Sequence, residues 1–277
     1  MTSLRLERGR LKLKYETSIR YKKSGVPVLS DKEIERHAEQ FIKEFDNSMF
    51  KDPHELDIER FMEYHLGLEL EYNNLTHCGL ILGRMVFNDT NTMPIYDAEK
   101  RRAEYISVTR GTVMLDNTLL EDEHRLRSTI GHECGHWVYH KPYYTYDLKQ
   151  LSLFDNPEQL ATACRRDDVE GCKRKLITDH DWLEHHAKYF SAAMLMPKKA
   201  VMRVLSRSDY SELVHDFCFG TSCADRYLIN EISKIFNVSM TSASIRLNML
   251  KEALIEEIVP NPITRFIVID NPLEVKI

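Results

Sequence analysis

No stretch of the 277 residues approaches the run of about 18 uninterrupted apolar residues that a spanning helix needs, so no membrane-crossing helix is expected. The first residues alternate apolar and charged side chains and contain no apolar core of a secretory signal, which predicts a cytoplasmic protein. The six cysteines (Cys78, Cys134, Cys164, Cys172, Cys218 and Cys223) form no CxxC pair, so free thiols in a reducing compartment are expected. Cys164, Cys172 and His180 match no standard zinc spacing. Internal repeats and low-complexity segments are also missing, which excludes a solenoid or a collagen-like chain.

What remains is the composition of a soluble globular protein: 43% apolar and 29% charged residues, in a chain long enough for one large domain or two small ones. The net charge of −5 is unevenly spread. Residues 1–25 hold eight Lys/Arg against Glu7 and Glu16, a balance of +6 that leaves −11 for the rest. Such an arm reads first as a solvated terminus, and second as a contact for nucleic acid or an acidic partner.

Ser30 followed by Glu33 predicts a capped helix in which Ile34, Ala38, Phe41, Ile42 and Phe45 recur at helical spacing. A second helix is expected in His54–Gly67, then strands in Leu68–Tyr72, Cys78–Phe87, Ala103–Gly111 and Thr112–Leu115. From Glu121 the chain reads mostly helical, until a short strand near the C-terminus. Helices, a small sheet, then helices predict an α+β fold.

The informative segment is His132-Glu133-Cys134-Gly135-His136, an HExxH motif. On a helix the two imidazoles lie about 40° apart on one face, where one Zn²⁺ can meet both, with Glu133 beside them as a base for water. The His and Glu content alone would produce about 0.05 such matches by accident. The helical wheel places Leu126, Ile130, Cys134 and Trp137 opposite the histidines, which predicts a core face and a polar face lining a cleft. Gly131 and Gly135 weaken a helix by up to about 1 kcal/mol each, so another backbone or a substrate is expected close by. A catalytic zinc needs a third protein ligand. Glu184, His185 and His186, on a helix ended by Pro197, compete for that role, and spacing does not choose among them.

The two segments together resemble the ImmA/IrrE family of bacterial zinc metallopeptidases. Its signature is HE-x-GH followed by a helix of the form E-x-x-A-N-x-F-A-A-x-L-L-M-P, matched by Glu184, Ala187, Phe190, Ala192, Leu195, Met196 and Pro197. The resemblance covers roughly residues 30–255. It implies a zincin-like core, zinc on His132, His136 and Glu184, and Glu133 as the general base. It also implies a protein substrate, a helix-turn-helix transcriptional repressor of a mobile element or stress regulon. Lys188 stands where the family has Asn, removing an acceptor that would orient a ligand histidine, so another group must serve. Ser191 replaces a common Ala, and the stretch from Trp137 to Leu183 is long for the family. Tyr139 and His140 are candidate oxyanion stabilisers or supporting groups. Thr112–Leu115, taken as an edge strand, would align an extended substrate by β-addition.

Residues 228–250 read as a helix-turn-helix around Asn237-Val238-Ser239, with Ser239 as a cap and Leu228, Ile232, Ile235, Ile245, Leu247 and Leu250 as apolar stripes. Glu231, Lys234 and Arg246 are its only charges, thin support for DNA binding and better suited to a scaffold packed on the rest. The expected organisation is a basic arm (1–28), a zinc metallopeptidase domain (29–205), a helical subdomain (206–260) and a tail (261–277). The alternative is a zinc-containing regulatory protein that binds DNA or a protein partner without turnover.

Overall fold

The computed structural model describes residues 17–144, 162, 164–165, 176–219 and 222–258. Most of the basic arm, the C-terminal strand and tail, and Cys172 lie outside them.

The chain enters through a short ribbon, β1 (Arg20–Tyr21) against β2 (Pro27–Val28). Helix α1 (Asp31–Phe45) then starts at the expected capping box: Ser30 Oγ accepts the Glu33 N–H, and Glu33 accepts the Ser30 N–H at 2.8 Å. Ile34, Ala38, Phe41 and Ile42 bury its inner face, as the periodicity predicts. The second expected helix is shorter, a turn α2 (Ile58–Arg60) that widens into a π-helix at Phe61–His65. Gly67 stops it with φ +69°, a backbone angle that favours glycine.

The main sheet contains β3 (Glu69–Asn73), β4 (Ile81–Met85), β7 (Thr112–Asp116) and β8 (Cys164–Arg165), in the order β3-β7-β4-β8. β3 runs parallel to β7, and β4 pairs antiparallel with β7 on one side and β8 on the other. Thr112–Leu115 is therefore an interior strand, buried at every position, and has no free edge for β-addition. Strand pairing depends on partners distant in sequence, which a local pattern cannot supply. A separate ribbon joins β5 (Thr90–Asp97) to β6 (Arg102–Val108). β5 escaped the sequence reading because Asn91 and Pro94 mask it; an out-of-sheet ribbon tolerates a proline that a central strand does not.

Seven α-helices follow among the described residues: α3 (Glu123–Tyr139), α4 (Lys141–Tyr144), α5 (Asp179–Leu195), α6 (Lys198–Leu205), α7 (Ser211–Phe219), α8 (Ser222–Phe236) and α9 (Met240–Ile258). The architecture is α+β with small sheets, as expected. One apolar core runs from Val26 to Leu254 and crosses into the C-terminal helices. A smaller cluster of Leu75, Val86, Met93, Val108 and Met114 lies apart from it. No described helix is long and apolar enough to cross a membrane.

The turn between α8 and α9 has the expected left-handed Asn237 (φ 49°), and Ser239 Oγ accepts the Ser242 N–H at 3.1 Å. The turn is docked on the start of α3: Asn237 donates to Glu123 (2.7 Å), and Arg127 Nε donates to the Asn237 carbonyl (3.0 Å). Arg246, the one basic residue that the candidate helix-turn-helix carries after its turn, is fully buried. Its guanidinium donates to both oxygens of Glu35 on α1 and to the Met196 carbonyl. Ile245, assigned by periodicity to the core stripe, is instead 41% exposed. This pair of helices packs on the rest of the molecule.

Candidate metal centre

Helix α3 begins where Asp122 accepts the Arg125 N–H at 3.1 Å, a side-chain cap that fixes its first turn. The helix then runs through the middle of the molecule, between β4 and α5. Gly131 and Gly135 let α5 come within backbone contact. A Cβ on Gly131 would lie 2.5 Å from Ser191 Oγ, and one on Gly135 would lie 2.9 Å from the Ala187 Cα. The close neighbour anticipated from these glycines is a second helix backbone. Ser191 on that helix donates to the Ser128 carbonyl at 3.0 Å.

This approach brings Glu184 onto the histidines. His132 Nε2 lies 3.0 Å from His136 Nε2, and each lies 3.3 Å from one oxygen of Glu184. Donor atoms about 2.0–2.2 Å from a tetrahedral zinc stand roughly 3.3 Å apart, so the spacing suits one ion. Both Glu184 oxygens are buried with no hydrogen-bond partner among the described residues, which a bound cation would remedy. His132, His136 and Glu184 thus form a donor set able to hold a metal ion. The other two candidates are elsewhere. His185 bonds Asp31 at 2.8 Å, and His186 is buried with its ring near His140.

The polar face of α3 does not open broadly to a cleft, as the wheel suggested. His132, Glu133, His136 and His140 are each at most 2% exposed, because α5 and the sheet cover that face. A wheel orders residues around an axis but does not say what packs on each side. Glu133 Oε2 accepts from Thr162 Oγ1 at 2.7 Å, and its Oε1 is buried without a partner. Burial raises its pKa, against the pull of His136 and His132. Burial opposes charge on His132 and Glu184 too. Yet Cys164 and Glu184 lift His132 well above the ordinary histidine range, and the two histidines hold Glu184 well below the carboxylate range. A metal ion must displace the proton so held.

The group placed to orient His136 is His140, whose Nδ1 lies 2.8 Å from His136 Nδ1. Burial, His136 and His186 keep His140 neutral, able to accept a proton-mediated bond from His136. It stands behind His136, fully buried. Lys188, where an acceptor was expected to be missed, lines a cavity of about 180 Å³ that reaches His132. Ser242, Ile245 and Met249 of α9 form the far wall.

Cys164 is the neighbour that spacing did not bring forward. Its thiol, with His132 and Glu133, makes a second buried group whose possible donor atoms all lie within 4.8 Å of one another. Burial pushes the Cys164 thiol up to about 11, although His132 pulls it down. Cys78, Cys134, Cys164 and Cys218 are free thiols, as expected. No family model matches this chain, and no curated protein matches it either, so the chemistry of the site is read from its own donors.

Proposed function

We propose that the protein is a zinc-dependent endopeptidase with a zincin-like core. The observation that carries this reading is the meeting, in one buried spot, of three metal-donor side chains with a second carboxylate, Glu133, that has one unpartnered oxygen. His132, His136 and Glu184 would hold the ion, which supplies Lewis acidity toward water and a scissile carbonyl when bound. Glu133 takes the proton of the attacking water at Oε1 and delivers it to the leaving amine. The Thr162 hydroxyl donates to Oε2, which orients the base.

The cavity beside His132 suits one apolar side chain of the substrate. An engineered apolar cavity of about 150 Å³ in another protein admits benzene, so about 180 Å³ takes an isobutyl or benzyl group. In line with the family resemblance, the substrate proposed is a helix-turn-helix transcriptional repressor. Internal use of Arg246 speaks against a DNA-reading role for α9.

The test compares wild type with Glu133→Gln, which keeps shape and loses the base. The variant is expected to retain about one zinc per chain, whereas Glu184→Ala loses it. Glu133→Gln should cleave a helix-turn-helix repressor from the same genomic region about 10²–10⁴-fold more slowly, followed by mass spectrometry. A variant that cleaves as fast as wild type rules out this mechanism, and one that complements the cellular role without cleavage favours the binding protein.

A further inference from the structure

The peptidase reading leaves Cys164 unused, although its thiol meets two side chains of the site. Cys164, His132 and Glu133 are all buried, and their possible donor atoms lie within 4.8 Å of one another. His136 and Glu184 belong to the other donor set, so His132 is the one residue common to both. The second set thus lies on the base side of His132. Local structure leaves a small space there. Cys164 pairs with Gly83 on β4, and the register slips between Ile81 and Gly83. Such an irregularity re-aims a side chain out of the regular alternation. Gly83 has no side chain to fill the space: a Cβ would lie 2.7 Å from Thr129 Cγ2 and 2.9 Å from Glu133 Oε1. Oε1 is buried without a partner among the described residues, while Oε2 accepts from Thr162 Oγ1 at 2.7 Å. Thr162 Oγ1 also accepts the Met85 N–H at 2.7 Å, so the carboxylate is fastened to the sheet. A buried carboxylate oxygen left unbonded beside a thiol and an imidazole is what a cation would satisfy.

We propose that His132, Glu133 and Cys164 form a second metal position, separate from the zinc set and suited to a soft, thiophilic cation such as Cu⁺ or Cd²⁺. The second set differs from the first by one exchange, a thiolate for an imidazole. That exchange favours softer cations, because thiolate is the softest donor in either set. A neutral imidazole has one lone pair to give, whichever nitrogen carries it, so His132 serves one ion at a time. The two positions are therefore alternatives. A cation in the second set deprives the first of a ligand and occupies the base as well. Cleavage would then stop when a thiophilic cation binds. That consequence rests on the peptidase reading above, while the position itself rests on its donors alone. Binding forms sulfur–metal, nitrogen–metal and oxygen–metal bonds and releases the thiol proton to solvent, with no change of oxidation state.

Cadmium is the probe. The full-length apo-protein is titrated with Cd²⁺, and the thiolate-to-cadmium charge-transfer band is read in the ultraviolet. Cys164→Ser and Cys164→Ala, two small replacements matched to wild type by circular dichroism, give the contribution of the other thiols. After that contribution is subtracted, wild type is expected to keep a band that saturates at one equivalent. His132→Ala should lose this band, whereas His136→Ala and Glu184→Ala should keep it. Cys164→Ser should bind Cd²⁺ more weakly by over the roughly tenfold that loss of a supporting partner costs, since a direct donor is gone. Zinc-loaded wild type should release its zinc to a colorimetric indicator as the band grows, and Cd²⁺ should slow repressor cleavage more in wild type than in Cys164→Ser. No band that depends on Cys164, its survival in His132→Ala, or its loss in both His136→Ala and Glu184→Ala overturns the second position. Zinc fully retained under a saturated band overturns the alternation. The band in a protein that binds no zinc, or that cleaves nothing in any form, supports the second position and defeats the peptidase reading, so the two ideas fail separately.

Discussion

Tyr139 and His140 follow the ligand pair along α3, and their surroundings divide their roles. The Tyr139 hydroxyl sits 3.2 Å from His37 Nδ1 on α1, and its ring packs edge-on against Phe190. It is a packing group, fully buried, with its hydroxyl turned to α1. His37 carries a consequence for stability. Burial, aided by Arg36, lowers its pKa from 6.5 to about 4. Protonation therefore favours the unfolded chain. Above pH 6.5 neither state holds the proton, and stability is unaffected. As pH falls from 6.5 toward 4, the unfolded chain takes up a proton that the fold refuses, and stability is lost across that window. His37→Gln keeps a polar partner for Tyr139 without titrating. Its urea midpoint is expected to fall less between pH 7 and pH 5 than that of wild type, both measured in excess chelator. Equal losses would show that His37 is not the sensing group.

At the scale of elements, the seam between α3 and α5 places the metal donors. Glycines on α3 face Ala187 and Ser191 on α5, one turn apart on each helix, so the backbones close up and Glu184 reaches the histidines. The glycine spacing was legible in the sequence as a demand for closeness; that the neighbour is a helix was not, because 47 residues separate Glu184 from His136. Gly135→Ala tests the seam. Helix propensity alone would stabilise the variant by up to about 1 kcal/mol. A methyl 2.9 Å from the Ala187 Cα must instead force the helices apart, at a cost of about 1–3 kcal/mol. A net loss of stability in urea unfolding is expected, together with weaker zinc binding as Glu184 moves away. A variant more stable than wild type would refute the tight seam.

Across the whole molecule, a buried ion pair ties the C-terminal helices to the first one. Arg246 reaches from α9 to Glu35 on α1, and Tyr189 of α5 donates to the same carboxylate at 3.0 Å. The pair also holds Ile245 and Met249 against the cavity beside His132. Removing one partner leaves a buried guanidinium without its countercharge. Glu35→Ala is therefore expected to cost about 3–5 kcal/mol. The double variant Glu35→Leu with Arg246→Met, which removes both charges, should recover most of that loss. Thermal unfolding of the two proteins decides the matter; a double variant no better than the single would mean the ion pair is not what joins these helices.

The sequence by itself determined the local features: the capped first helix, the left-handed Asn237, the α+β order, and the i,i+4 histidines with a glutamate beside them. Each depends on residues within a turn or two, where backbone geometry alone dictates the arrangement. Only tertiary structure decided which of Glu184, His185 and His186 meets the histidines, because adjacent side chains differ by about 100° and packing selects the one that faces α3. It also decided that Thr112–Leu115 is interior, that Arg246 is spent inside the molecule, and that Cys164 lies on the base side of His132. These are long-range pairings, made by contacts between segments far apart in the chain, and no local period or spacing encodes them.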